Sequence, residues 1–268
     1  RAGHLQEAAA RMIVTGWTVP RTSALIQRNL MILRHTFTPL LQSIVEPTLY
    51  LLSIGFGVGT LVGKVAGVDV RYAAYVAPGI LATTAMNAAF NQTTFFVFSR
   101  LREERTYDAI VPTPLSVADI ALGEVLTSII FAVLSTVGFI VVMLILGLAI
   151  SPGLLLALPG SVIVGYAFGA GGLAVTTYLR DWADFQLIQL VMLPMFLFAT
   201  TFYPLSIYPH WVRPVIEVLP LYQSIQLLRE PALGIFHWDI AVAIVYLTVF
   251  GSLALALATR RLKGKLTP

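Results

Sequence analysis

Residues 125–179 read VLTSIIFAVLSTVGFIVVMLILGLAISPGLLLALPGSVIVGYAFGAGGLAVTTYL, 55 consecutive positions without Asp, Glu, Lys or Arg. A helix needs ~20 apolar residues to cross the hydrocarbon core of a bilayer, so this run is more than twice one crossing. Ser151-Pro152-Gly153 divides it, a combination that ends a helix and turns the chain. Working outward, Tyr72 to Ser99, Phe185 to Val212 and Ile240 to Thr259 are also free of charge, and Thr36 to Gly63 carries one, Glu46. These runs predict an all-α integral membrane protein with six spans near 38–62, 73–98, 119–149, 154–178, 185–204 and 238–259. Residues 1–37 are expected as a cytoplasmic N-terminal segment, 38–259 as the transmembrane domain and 260–268 as a basic cytoplasmic tail.

Composition agrees with this reading. Of the 268 residues, 57% are apolar and 11% charged, against ~25% charged in soluble domains. A soluble protein with buried helices would need amphipathic helices to cover its core, and only the N-terminal segment supplies one. No basic stretch followed by an apolar one precedes Thr36, so no cleavable signal peptide is expected. The absence of cysteine excludes disulfides and cysteine-ligated metal.

Basic residues orient the spans. With a cytoplasmic N-terminus and alternating crossings, 13 of the 17 Lys and Arg fall on one side: before Thr36, in the loop from Arg100 to Val117, at Arg180 and after Thr259. Lys64, Arg71, Arg213 and Arg229 fall on the other. Basic loops resist translocation, so both termini are expected in the cytoplasm of a multi-pass plasma-membrane protein. The pI of 9.5 then reflects topology and contact with anionic lipid headgroups, without nucleic acid as a partner.

Between Arg21 and Phe37, the residues Ile26, Leu30, Leu33 and Phe37 share one helical face, with Arg21, Arg28 and His35 opposite. This suits an interfacial helix or a cytoplasmic extension of the first span. Gly55, Gly59 and Gly63 recur every four residues and offer a face for close helix packing. Gly57 to Lys64 is no phosphate loop, because its glycine spacing is wrong and Val65 stands where Ser or Thr is required. The loop from Arg100 to Asp108 places six charged residues in nine positions. There Arg100 and Glu104 are spaced to pair on a short helix that must stop near Pro112 and Pro114. Ser116 is expected to cap the following helix with Asp119. The segment from Tyr203 to Trp238 mixes prolines with apolar stretches. It suits short helices dipping back into the membrane, or an interfacial loop anchored by Trp211, Tyr222 and Trp238.

Function is narrowed by chemistry. The four histidines are scattered, and neither Gly-x-Ser-x-Gly nor His-Glu-x-x-His occurs. Tyr107-Asp108 lacks the Gly-x-Gly-Asp partner of an intramembrane aspartyl protease, so no catalytic residue or metal ligand is assigned. An ion-coupled carrier or channel would use ionisable residues within the spans, for which Glu46 and Glu124 are the acidic candidates. A scaffold without transport activity is a third alternative.

The order of a basic amphipathic segment, Glu46-Pro47-Thr48-Leu49-Tyr50, the Gly55-x-Gly57-x-Gly59 run and Ala77-Pro78-Gly79 resembles the permeases of ABC-2 type exporters. Pro112-Thr113-Pro114-Leu115-Ser116 with Gly123-Glu124, and later Tyr203-Pro204-Leu205 with Leu219-Pro220-Leu221, extend the similarity across nearly the whole chain. It is closest to the branch of nodulation lipo-oligosaccharide and daunorubicin-type drug permeases. The resemblance implies an elongated dimer with six helices per half, the second half being an identical copy or a paralogue. Each half docks to a separate ABC ATPase subunit, which binds ATP and Mg; this chain is expected to hold no cofactor and to be no enzyme. The loop after the second span would act as a coupling helix, formed here by Arg100, Arg102, Glu103, Glu104, Arg105, Tyr107 and Asp108. A returning pair of short helices before the last span is implied at residues 204–234. The path for an amphipathic drug, lipid or glycolipid would run between the halves along the first, second and fifth spans. Glu46, Asn87, Asn91, Phe196, Phe198 and Phe202 are its candidate lining.

Overall fold

A computed structural model describes residues 38–62, 64–65, 68–102 and 116–266. The N-terminal amphipathic segment, Gly63, and Glu103, Glu104, Arg105, Tyr107 and Asp108 of the charged loop lie outside the described residues. Helix α1 is α-helical over Thr38–Tyr50, π-helical over Leu51–Val58 and α-helical again over Gly59–Val62. Two short antiparallel strands, β1 (Lys64–Val65) and β2 (Val68–Arg71), turn the chain into α2 (Tyr72–Arg102). These strands were not expected from sequence. The remaining long helices are α3 (Val117–Ile145), α4 (Pro152–Thr176) and, last in the chain, α8 (Asp239–Leu266). Between α4 and α8 lie the shorter apolar helix α5 (Trp182–Phe198) and two short helices, α6 (Arg213–Glu217) and α7 (Pro220–Ala232).

Among the described residues five helices, α1, α2, α3, α4 and α8, are long and apolar enough to cross a membrane. At ~1.5 Å per residue, α5 reaches about 25 Å, the short end of what a crossing requires. It is shorter than the expected 185–204. Thr200 has φ +64, and the Thr201 hydroxyl donates to the Phe196 carbonyl, closing the helix before the chain bends toward Pro204. The last helix is longer than expected, because Arg260, Arg261, Lys263 and Lys265 continue α8 as regular turns rather than forming a separate tail.

Local chemistry accounts for the breaks. Ser116 and Asp119 form the expected capping box, with Asp119 N–H donating to Ser116 Oγ at 3.1 Å and Ser116 N–H to Asp119 Oδ2 at 3.0 Å. At the break in the long apolar run, Ser151 Oγ accepts from Gly153 N–H at 3.1 Å. Gly153 also presses on α7, where a Cβ would stand 2.0 Å from the Pro231 carbonyl oxygen.

Helix α2 is the centre of the molecule, packed against α1, α3, α4 and α7, while α4 packs against α3 and α8. Leu41, Val45 and Leu49 of α1, Leu187, Leu190 and Val191 of α5, and Val245, Val249 and Leu253 of α8 remain exposed. In a bilayer such side chains face lipid at no cost. Gly55 and Gly59 approach the start of α2, with ideal Cβ positions 3.6 Å from Ala73 and Tyr72 atoms.

A second small-residue face, Gly165-x-x-x-Gly169, brings α4 against α3. A Cβ at Gly169 would lie 1.9 Å from Ser128 Oγ and 2.9 Å from its Cβ, and one at Gly165 would lie 3.0 Å from the Ile129 backbone. Gly169→Leu is expected to part these helices at a cost of about 1–3 kcal/mol. Thermal unfolding in detergent checks this against Gly57→Leu, where the added carbon meets nothing within 4 Å. Equal melting temperatures would refute the close approach.

Candidate translocation cleft

Within α1, Gln42, Glu46 and Tyr50 follow at four-residue steps on one ridge. Pro47 lacks the N–H that would bond the Ser43 carbonyl, and Ser43 Oγ pairs across to Ser135 Oγ of α3 at 2.7 Å. On the facing side, α2 is buried along almost all its length. Between Tyr72 and Phe95 only Asn87, Asn91 and Phe95 are exposed, again at four-residue steps. A helix so enclosed exposes amides only where something other than its own protein can meet them. Gln189, Met192 and Phe196 of α5 form the third wall.

These residues surround a cleft of about 730 Å³ that contains Glu46, Asn87, Asn91 and Phe196 of the sequence-derived set. Trp182, Phe185 and Phe95 line one end; Trp182 and Phe185 stack with centroids 5.1 Å apart, and Phe95 lies 4.4 Å from Phe185. At the other end Phe196 touches Tyr50 at 5.9 Å and meets Phe202 edge-on at 5.2 Å. Beyond this aromatic group lies a second cavity of about 550 Å³, lined by Ile54, Val58, Phe198, Phe202, Tyr203 and Tyr208 among others. The six sequence candidates thus divide between two adjoining cavities along α1. Gln42 and Gln189 were missed, although each is an amide set in an apolar helix. Among the described residues no three His, Asp or Glu cluster as metal ligands.

A family model described as ABC-2 type transporter matches residues 20–233. The chain belongs to the ABC-2 type transporter family. Nodulation protein J of Rhizobium meliloti (strain 1021) is 33% identical to this ABC-2 chain over 230 residues, covering 85% of this chain and 87% of that protein. Nodulation protein J of Rhizobium leguminosarum bv. trifolii is 35% identical over 228 residues, covering 83% and 86%.

At the root of the charged loop of this ABC-2 chain, Arg100 turns inward. Its Nη1 donates to both oxygens of Glu124 on α3, at 2.9 and 2.7 Å, with both side chains buried. The expected pairing of Arg100 with Glu104 falls outside the described residues, and Glu124, read from sequence as a candidate ion-coupling group, is tied up in this ion pair. Arg102, by contrast, is exposed and reaches the Leu179 carbonyl at 3.4 Å.

At the opposite end, α7 buries Arg229 among α2 and the segment after α5. Its guanidinium lies 4.1 Å from the centroid of the Tyr75 ring, donates to the Tyr75 hydroxyl at 3.0 Å and to the Thr201 carbonyl at 2.9 Å. Gly79 leaves room for it, since a Cβ there would stand 2.4 Å from Nη2. Burial, then the nearby Asp239, push the neighbouring Glu230 carboxyl above its usual range, with His237 opposing. Sequence reading counted Arg229 only as a basic residue of an outer loop.

Proposed function

We propose that the chain is the membrane subunit of an ABC exporter, moving an amphipathic drug, lipid or glycolipid outward across the plasma membrane. The observation that carries this is the cleft between α1, α2 and α5. It has apolar and aromatic walls, one carboxylate and two amide-bearing ridges, and it adjoins a second cavity toward the β-hairpin end. Such a lining suits a cargo with an apolar body and a hydrogen-bonding head. A second permease half, identical or paralogous, completes the path. A separate ATPase subunit binds ATP and Mg and pushes on the loop that begins at Arg100 and Arg102 and carries Glu103, Glu104, Arg105, Tyr107 and Asp108. Both termini lie in the cytoplasm, as the basic residues require, and α6 and α7 stand in the outer leaflet as the returning pair.

The test is reconstitution in proteoliposomes with the ATPase subunit, reading ATP-dependent movement of fluorescent amphiphiles. Asn87→Leu with Asn91→Leu is expected to lower transport on the order of tenfold, as loss of two hydrogen bonds of ~0.5–1.5 kcal/mol each implies, while the ATPase subunit still copurifies. Unchanged transport would remove the cleft from the path. Charge reversal at Arg102, Glu103 and Glu104 is expected to uncouple ATP hydrolysis from transport, and intact coupling would remove the loop assignment. Proton- or sodium-driven transport by the chain alone, abolished by Glu46→Gln, would replace the exporter reading with an ion-coupled one.

A further inference from the structure

At the end of the molecule that holds the root of the charged loop, three cations converge with no ion-pair partner among the described residues. Arg261 of α8 lays its guanidinium over the Tyr178 ring, 4.0 Å from the centroid. Arg102 of α2 reaches the neighbouring Leu179 carbonyl, and Lys265, one turn beyond Arg261, is within electrostatic reach of both arginines. The carboxylates that follow Tyr178 in sequence are engaged elsewhere. Asp181 accepts from the Ala183 and Asp184 N–H groups at 2.9 and 3.3 Å, and Asp184 accepts from the Arg180 N–H at 2.8 Å. Like charges gathered at the edge of a low-dielectric region repel, and an anion among them relieves the repulsion.

The surface leading to this cluster decides which anion fits. Val249, Leu253, Leu257, Arg261 and Lys265 succeed one another at four-residue steps along a single inclined ridge of α8, and all five are exposed. Three apolar side chains are followed by two cations. From Val249 to Arg261 the ridge rises about 18 Å, close to the depth of one leaflet of a bilayer with a ~30 Å core. The acidic surface of a soluble partner could reach the cations but not the apolar part of the ridge, which lies among membrane-crossing turns. The ridge also lies beyond residue 233, where the family match ends.

We propose that this corner binds an anionic glycerophospholipid, its acyl chain lying along Val249, Leu253 and Leu257 and its phosphodiester held by Arg261, Lys265 and Arg102. Stacking on Tyr178 fixes the plane of the Arg261 guanidinium and leaves its N–H groups free for a phosphate. A bound lipid would tie the end of α8 to the root of the charged loop. That this is the inner leaflet rests on the orientation proposed above; the binding does not.

The full chain, purified from vesicles of mixed phosphatidylglycerol and phosphatidylcholine and washed in detergent, is expected to retain about one phosphatidylglycerol per chain, measured by native mass spectrometry. Arg261→Gln with Lys265→Gln is expected to lower that retention about thirtyfold, as loss of two cations near a lipid surface implies, without changing phosphatidylcholine or monodisperse elution. Arg261→Lys with Lys265→Arg is expected to keep most of it. If the double variant aggregates, each single Gln variant is expected to show about a fivefold loss. Equal retention in the Gln variants would overturn the proposal. So would displacement of the lipid by millimolar inorganic phosphate, which marks a simple anion site. Loss of ATPase-subunit binding with unchanged phosphatidylglycerol would assign the cluster to that partner instead. Because the readout is bound lipid, failure of the export reading leaves this result standing, and the reverse holds as well.

Discussion

Glu124→Ala is expected to destabilise the protein by about 3–5 kcal/mol, because it breaks the buried ion pair with Arg100. Arg100 is 6% exposed and Glu124 0%, so water cannot replace the lost partner. Arg100→Met is expected to cost a similar amount, by breaking the same pair from the other side. The double variant Arg100→Met with Glu124→Leu should recover most of the loss, since an apolar pair of similar volume avoids the desolvation of both charges. Thermal unfolding in detergent, with Glu217→Ala as an exposed control, measures all three. Additive losses in the double variant would mean the two residues are not energetically joined. The same variant separates two roles of Arg100. A stable protein that hydrolyses ATP with its partner but does not transport would show that the charge, and not only the packing, serves the loop.

The second large effect is expected at Arg229. Replacement by Met strands the Tyr75 hydroxyl and the Thr201 carbonyl, each worth ~1–3 kcal/mol when left unpaired and buried. It also removes a stacked cation whose contribution reaches ~2 kcal/mol when desolvated. Relief of the arginine's own desolvation opposes these losses, so the net cost is expected at about 2–4 kcal/mol. Arg229→Lys should fall between, because an ammonium cannot both stack and donate in the same plane. Gly79→Val should imitate the loss by displacing the guanidinium. The segment after α5 should loosen with it, since the Thr201 carbonyl follows Thr200, whose positive φ a threonine adopts only under constraint. Limited proteolysis between Ala199 and Tyr208 reads this directly. Wild-type stability and protection in Arg229→Met would show that desolvation cancels the bonds.

Much of the architecture was legible because lipid imposes long uniform signals. Charge-free runs marked the long helices, Ser151-Pro152-Gly153 marked the break, and Ser116 with Asp119 marked the start of α3. Each follows from a local rule about solvation or backbone satisfaction. The end of α5 was not legible, because Phe185 to Val212 is free of Asp, Glu, Lys and Arg throughout while the helix stops at Phe198. The second glycine face on α4 was written in the Gly165-x-x-x-Gly169 spacing, but so was that of Gly55, Gly59 and Gly63, and spacing alone does not say which face meets a neighbour. The candidate cleft was legible in part. The family resemblance pointed to the first, second and fifth spans, and through them to Glu46, Asn87, Asn91 and Phe196.

What the sequence by itself determined is the solvent of this chain, the approximate number and limits of its helices, and its family, because these depend on composition and order along one strand of residues. What only the tertiary structure decided is which charges are partners. Arg100 finds Glu124 24 positions away, and Arg229 finds Tyr75 154 positions away. A buried charge takes whichever group the packing of helices brings within hydrogen-bond reach, and sequence distance does not enter that energy.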